Sequence, residues 1–262
     1  MTSGEVFSRK RTDRLARILD VLSDDETVTV PQLASAMGVS AATIRRDLVI
    51  LDTQGLVRRS HGGASMHTAH SSERPVRYRD GHHRDAKQRI GAACAETIPL
   101  RVQAIAMSGG TTTREVARHL VDRSGLTVVT NSLTIAMELT MRPRLRVIVT
   151  GGQLRSESFE MVGAWTERFL DGLNFGMTIM GVDGISASGG LTTHDPVEAR
   201  ANQRMIERSQ RTIVVADATK IGAVTMARIA DVSRISLLIT EADAPAREIV
   251  ALRATGLEVM LL

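Results

Sequence analysis

The chain has 262 residues, 43% of them hydrophobic, 24% charged and 2% aromatic, with a formal net charge of +4. That is the composition of a globular protein long enough for two domains, and no apolar run approaches the roughly 20 residues that cross a membrane. The opening Met1-Thr2-Ser3-Gly4-Glu5 lacks the apolar stretch of a secretory signal, and the single cysteine, Cys94, excludes an internal disulfide, so a reducing cytoplasm is the expected setting. The Cys94 surroundings, Ala92-Ala93-Cys94-Ala95, suggest a small buried hydrophobe. The charge excess is local: residues 1–90 hold 15 Lys/Arg against 11 Asp/Glu, and the rest 18 against 18. Many basic faces are only solvated, but an excess gathered in one segment is the footprint of a phosphate-binding surface.

Residues 1–11 read as a mildly basic tail. Leu15, Ile18, Leu19 and Leu22 recur at i, i+3, i+4 and i+7, which predicts a helix closing before Ser23-Asp24-Asp25-Glu26. Val28-Thr29-Val30 is a brief extended piece. Pro31 suits the first turn of a second helix, with Leu33, Ala34 and Met37 on its apolar face and Gly38 at its left-handed end. Val39 fills a tight turn, and Ser40 caps a third helix whose Ile44, Leu48 and Leu51 share one face while Arg45 and Arg46 point elsewhere. Helix–turn–helix is the reading, with the third helix in a DNA major groove. Arg45 and Arg46 would contact phosphates or guanine edges, with Ser40 at the helix start and Ala41, Ala42 and Thr43 near the bases. The bland alternative pairs Arg46 with Asp47 or Asp52. Gly55 stops the helix, Leu56–Arg59 reads as a strand and Ser60–Gly63 as a turn: a wing whose Arg58, Arg59 and His61 anchor to the backbone. A three-helix module that binds another protein explains less about why two arginine pairs flank one apolar core.

The expected first domain is thus 1–64. From 65 to 85 the composition turns to Ser, His, Arg, Glu and Gly, which suggests a solvated linker. His61, His67, His70, His82 and His83 lack cysteine partners and regular ligand spacing, so no metal is expected. Residues 86–262 form the second domain. A helix over about 86–98 is followed by apolar runs at 102–107, 126–130, 145–150, 176–181, 212–216, 235–240 and 257–262. Helical patterns fill most gaps, among them Thr113–Val121, Leu133–Leu139, Val197–Arg208 and Ala246–Ala254. Strands of near-continuous Val, Ile, Leu and Met alternating with helices predict an α/β domain with a mostly parallel sheet covered on both faces.

In such sheets ligands bind beyond the carboxyl ends of the strands. Ser108-Gly109-Gly110-Thr111-Thr112-Thr113 follows the first run and enters a helix, an arrangement of bare amides and hydroxyls suited to a phosphate. Thr130-Asn131-Ser132, Gly151-Gly152, Gly181-Val182-Asp183-Gly184 and Asp217-Ala218-Thr219-Lys220 end later runs. Each alone is an ordinary turn or cap; five together make a shared polar pocket the better account. Asn131, Asp183, Glu198 and Lys220 are candidates to line that pocket, with a solvated face as the alternative for Glu198 and a salt bridge to Asp217 for Lys220. No Walker lysine, dinucleotide fingerprint or Ser-His-Asp set is present, so neither ATP, NAD nor any other cofactor is expected.

Val39-Ser40, Thr43-Ile44-Arg45-Arg46-Asp47-Leu48, Leu51, Gly55, Arg59 and His61-Gly62-Gly63-Ala64 together resemble the DeoR family of bacterial transcription regulators. Gly110-Thr111-Thr112, Thr130-Asn131-Ser132, Gly151-Gly152, Gly190-Leu191-Thr192 and Asp217 with Lys220 resemble its sensor domain. The resemblance covers about residues 12–262. It implies a winged helix–turn–helix plus a domain related in fold to ribose-5-phosphate isomerase. It also implies a homo-oligomer, dimer or tetramer, that represses a sugar-catabolic operon until a phosphorylated sugar releases it. Two positions depart from the family pattern: Ser108 stands where an Asp is common, and Glu241 follows Thr240 where Thr-Asp is usual. Against the isomerase, Asp183-Gly184 is a shortened acid motif and Ala187-Ser188 replaces its lysine, so sensing is expected over catalysis. An isomerase carrying a DNA-binding domain, and a DNA-binding scaffold with a vestigial pocket, are the competing readings.

Overall fold

The computed structural model describes residues 9–24, 27–60, 62–66, 73–120 and 123–262. It divides into two units, Met1–His82 and His83–Leu262. The first eight residues of the expected tail, together with Asp25, Glu26, His61, His67, His70 and Val121, lie outside the described residues. No helix of the described residues is long and apolar enough to cross a membrane.

The first unit runs α1 (Arg9–Asp24), β1 (Val28–Thr29), α2 (Val30–Met37), α3 (Ala41–Thr53), β2 (Val57–Arg59) and β3 (Gly63–Met66). Helix α1 thus begins inside the expected tail. Leu15, Ile18, Leu19, Leu22, Leu33, Ile44, Leu48 and Leu51 are all buried in one core with Val57. A capping box starts α2: Thr29 takes the Gln32 N–H while the Gln32 side chain takes the Thr29 N–H. Gly38 ends the helix at φ 66°, the left-handed conformation in which a Cβ would be strained. The three strands pair antiparallel in the order β1-β3-β2. Gly63 is required there, because a Cβ would stand 2.3 Å from the Val28 carbonyl oxygen.

The span 65–85 is not a free linker in its described part. Ser65 and Met66 belong to β3, and Val76–Tyr78 forms a 3-10 turn with Val76 and Tyr78 buried. Tyr78 joins the α1–α3 core and donates its hydroxyl to Gln54 Oε1 at 2.8 Å, while Arg74 pairs with Asp20. An average over a polar stretch hides two apolar side chains that suffice to pin it.

The second unit runs α4 (Arg84–Thr97), β4 (Ala104–Met107), α5 (Thr111–Arg118), β5 (Thr127–Thr130), α6 (Leu133–Thr140), β6 (Arg146–Val149), β7 (Gln153–Arg155), β8 (Glu160–Val162) and α7 (Ala164–Asp171). It continues with β9 (Met177–Met180), β10 (Gly184–Ser186), β11 (Gly190–Thr193), α8 (Pro196–Glu207), β12 (Thr212–Val215), β13 (Ala227–Ala230), β14 (Leu237–Thr240), α9 (Ala246–Ala254) and β15 (Glu258–Leu261). The seven apolar runs become one parallel sheet of order β15-β14-β12-β9-β4-β5-β6. Alternate residues serve opposite faces, as strand pleating demands. Ile105 and Met107 join Ile90 and Cys94 of α4, Val116 of α5 and Ile135 of α6. Ala106, Met180, Val214 and Leu238 join Leu170 of α7, Met205 of α8 and Ile249 of α9. Cys94 is fully buried, and burial pushes its thiol up to about 12. Three features escape the periodicity: the β7–β8 hairpin, α7, and the small antiparallel sheet β10-β11-β13. Their strands, such as Gln153–Arg155 and Gly190–Thr193, lack the near-continuous Val, Ile, Leu and Met that marked the runs of the main sheet.

On α3, Asp47 is 1% exposed and lies on the inner side, where Arg14 of α1 grips it through Nε–Oδ2 at 2.5 Å and Nη2–Oδ1 at 3.1 Å. Removing one partner strands a buried charge. Arg14→Ala is expected to lower the unfolding free energy by about 3 kcal/mol, at the low end for such pairs because Arg14 keeps some solvent. The joint replacement Arg14→Met with Asp47→Leu is expected to recover most of that loss. Denaturant titration of the full chain, followed at Tyr78 in the first unit, measures both; a loss below about 1 kcal/mol for the single variant contradicts the structural role.

Candidate nucleic-acid interface and ligand site

The third helix is aimed by its cap and its core. Ser40 sits in extended backbone and its Oγ accepts the Thr43 N–H at 3.3 Å. Ile44, Leu48 and Leu51 fix the rotation of the helix, leaving Ser40, Ala42, Arg45 and Arg46 exposed and Ala41 and Thr43 half-buried. The alternative partnership of Arg46 with Asp47 or Asp52 does not form: Asp47 belongs to Arg14, and neither Arg45 nor Arg46 makes an ion pair among the described residues. In the hairpin, Arg58 pairs in register with Ser65 and Arg59 with Ala64, and both arginines are exposed. The turn closes through Ser60 N to Gly63 O at 3.0 Å. His61 lies outside the described residues. Two exposed arginine pairs therefore flank one core, with no acid committed to them.

In the second unit the loops at the strand ends hold one another. Ser108 Oγ accepts the Gly181 N–H at 3.0 Å, tying the loop after β4 to the loop after β9. Thr113 Oγ1 donates to the Gly109 and Gly110 carbonyls at 2.8 and 2.9 Å. Thr130 Oγ1 donates to Met107 O at 2.8 Å and accepts the Ser132 N–H at 3.0 Å, while Ser132 caps α6. These four hydroxyls build the loops. Thr111 and Thr112, at the start of α5, make no hydrogen bond through their hydroxyls among the described residues. Gly152 has φ 140° and packs on Thr166, whose Oγ1 donates to Gly151 O at 2.6 Å, so this pair is committed to α7.

The centre of the network is acidic. Glu160 of β8 accepts from Asn131 Nδ2 at 2.9 Å and packs its carboxyl against Gly109, where a Cβ would stand 2.2 Å from its Oε1. Thr193 Oγ1 lies 2.9 Å from Asp183 Oδ2 and 2.6 Å from Glu198 Oε1. The one hydroxyl proton is shared between the two carboxyls. Burial first, then the charges of Glu198 and Asp183, raises the Glu160 carboxyl well above its usual range; burial and Asp183 raise Glu198. Arg155 faces Glu198 at 3.4 Å and Asp195 at 3.6 Å. Asn131 is fully buried, yet its Oδ1 has no hydrogen-bond partner among the described residues.

A second cluster sits at the ends of β12 and β14. Burial alone would raise the Asp217 carboxyl, but the hydrogen bond from Thr219 and the charges of Lys87, Lys220 and His83 hold it below its ordinary value. Its ion-pair partner is the buried Lys87 at 3.9 Å, not Lys220, which is half-buried. Glu241 accepts the Ala218 N–H at 3.1 Å and faces Arg89 at 3.5 Å. The structure thus brings Ser108–Thr113, Thr130–Ser132, Asp183 and Glu198 into one network. No hydrogen bond or ion pair among the described residues joins Lys220 to it. Glu198 is buried rather than on a solvated face. Glu160, Arg155, Thr193 and Lys87 were missed; only Thr193, beside Gly190-Leu191-Thr192, had a neighbouring signal.

Residues 14–70 match the family described as DeoR-like helix-turn-helix domain, and residues 82–242 match the DeoR C terminal sensor domain. The regulator GlpR of Haloferax volcanii is 34% identical over 90% of this chain and 92% of its own. The glycerol-3-phosphate regulon repressor of Escherichia coli K12 is 33% identical over 90% of this chain and 93% of its own. Among solved structures, a ribose 5 phosphate isomerase A from Neisseria gonorrhoeae covers 55% of this chain and 54% of its own at 14% identity and a TM-score of 0.37. That likeness is too distant to inform the chemistry. With a winged helix–turn–helix that leaves two arginine pairs uncommitted, and with both halves matching the family, the chain belongs to the DeoR family of DNA-binding transcriptional regulators.

Proposed function

We propose that the protein represses a carbohydrate-metabolism operon and that a phosphorylated sugar controls its grip on DNA. The observation that carries the DNA reading is the placement of Arg45 and Arg46, exposed on a capped helix whose neighbouring acid, Asp47, faces inward to Arg14. Ser40, Ala41, Ala42 and Thr43 occupy the helix start, where base edges would be read, and Arg58 and Arg59 lie on the wing hairpin, where phosphates would be held, with His61 as a further proposed phosphate contact. The relatives' names, a glycerol-3-phosphate regulon repressor among them, support an organophosphate signal. The phosphate would rest on Gly109, Gly110 and the Thr111 and Thr112 hydroxyls, with Asn131, Asp183 and Glu198 turned to sugar hydroxyls. Ser108, Thr113, Thr130 and Ser132 shape that cradle, Gly151 and Gly152 border it, and Lys220 is a reserve cation from the neighbouring cluster. The protein works in the cytoplasm as a homo-oligomer, dimer or tetramer, because paired recognition helices read paired half-sites.

A second reading, proton transfer on a sugar phosphate, draws on the Asp183–Thr193–Glu198 arrangement, in which two buried carboxyls share one hydroxyl.

Arg45→Ala or Arg46→Ala is expected to cost about 1–3 kcal/mol of affinity for a duplex selected from random sequences, at matched salt and with unchanged unfolding. Unchanged affinity in both variants rules out the assignment. Arg58→Ala or Arg59→Ala is expected to weaken all sequences alike and to reduce the salt slope by about 1, read by fluorescence anisotropy across a salt series.

A panel of phosphorylated sugars is expected to contain one that stabilises the full chain by about 2.7 kcal/mol at a hundredfold excess over its Kd and weakens DNA binding. Stabilisation by none of them sinks the effector reading, and turnover of any of them establishes the enzyme reading in its place.

A further inference from the structure

The Gly109 backbone is one that an anionic ligand would use, and a carboxyl of the chain itself already lies against it. A Cβ on residue 109 would stand 2.2 Å from Glu160 Oε1. The other oxygen takes the Asn131 Nδ2 hydrogen bond. Glu160 directly follows Phe159, which has φ 55°, a strained conformation for a bulky side chain. On either side the backbone is pinned by Leu133 N to Phe159 O at 3.0 Å and Met161 N to Asn131 O at 2.7 Å. The charged groups facing Glu160 are Glu198 from α8 and Asp183 from the loop after β9, with Arg155 of β7 paired to Glu198 and Asp195. Asn131 Oδ1, in the same network, is buried with no hydrogen-bond partner among the described residues.

Resting on the phosphate reading of this loop, we propose that Glu160 is a built-in competitor for the anion site: a dianion binds at Gly109–Thr111 only when Glu160 carries a proton. The step balances as one dianion and one proton from solvent going to one complex, in which the neutral carboxyl donates to the bound anion instead of opposing it. Burial and two acidic neighbours already favour the neutral form, and a bound dianion favours it further. Proton uptake therefore falls between the free and the bound titration. Anion affinity is greatest below that window and drops by up to about tenfold per pH unit as pH rises through it.

Sulfate is the probe, because it stays a dianion between about pH 5 and 9 while phosphate esters titrate within that range. In calorimetric titration of the full chain, affinity for sulfate is expected to fall with rising pH. Glu160→Gln is expected to bind equally at both ends of the range, at least as tightly as the unaltered chain at low pH. Titration of the unaltered chain in two buffers of different ionisation enthalpy is expected to count about one proton taken up per sulfate within the window. A pH-independent affinity in the unaltered chain, or the same pH dependence in Glu160→Gln, overturns the proposal. Should Glu160→Gln fail to fold, the proton count alone decides, and zero across the range overturns it. Sulfate binding to neither protein at any pH removes the anion-site reading as well, whereas binding without proton linkage removes only the role given to Glu160.

Discussion

Parallel pairing imposes the constraint on which the sensor unit depends. Because the seven strands of its sheet run the same way, every connection must leave the carboxyl end and cross back before the next strand, by a helix in each case but the β12–β14 link, which returns through β13. All the loops that carry ligand-type residues are thereby gathered along one end of the sheet, and the hydrogen-bond register sets which of them touch. The β4–β9 register brings Ser108 against Gly181, and the β4–β5 register brings Thr130 over Met107. The short β8 strand then runs beside Asn131 and Ser132 and delivers Glu160 into the middle.

The two units treat charge in opposite ways. In the first, Asp47 of α3 is turned inward to Arg14, so Arg45 and Arg46 beside it are exposed with no ion-pair partner among the described residues. In the second, Glu160, Asp183 and Glu198 are drawn together away from water. Like charges in a poorly screened interior raise one another's proton affinity, and the Thr193 hydroxyl shared by two carboxyls expresses the same demand in geometry. An outward basic surface suits a polyanion that arrives whole. An inward acidic cluster beside bare amides makes the occupancy of a small site depend on protons as well as on the ligand.

The α4–α5 flank shows why positive residues alone are a poor guide. A cleft of about 400 Å³ there is lined by Arg84, Gln88, Glu115, Arg118 and His119. Arg118 is spent on Glu115 at 2.5 Å and Glu138 at 3.0 Å, so its charge is balanced locally. Arg45 and Arg46 differ only in having no such partner among the described residues, and sequence spacing cannot distinguish the two situations.

Local pattern determined a great deal here. The capped α3 with its apolar stripe, the left-handed Gly38, and the seven apolar runs that became the sheet were all legible, because helical and strand periodicity and turn chemistry act within a few residues. So were the small polar loops at the strand ends. What only the tertiary structure decided are the partnerships between residues far apart in the chain: Arg14 with Asp47, Lys87 with Asp217, Tyr78 with Gln54, and Glu160 with Gly109 and Asn131. Each depends on two elements meeting at a particular rotation and register. The side chains concerned carry no local mark to separate them from the solvated charges and polar linkers around them.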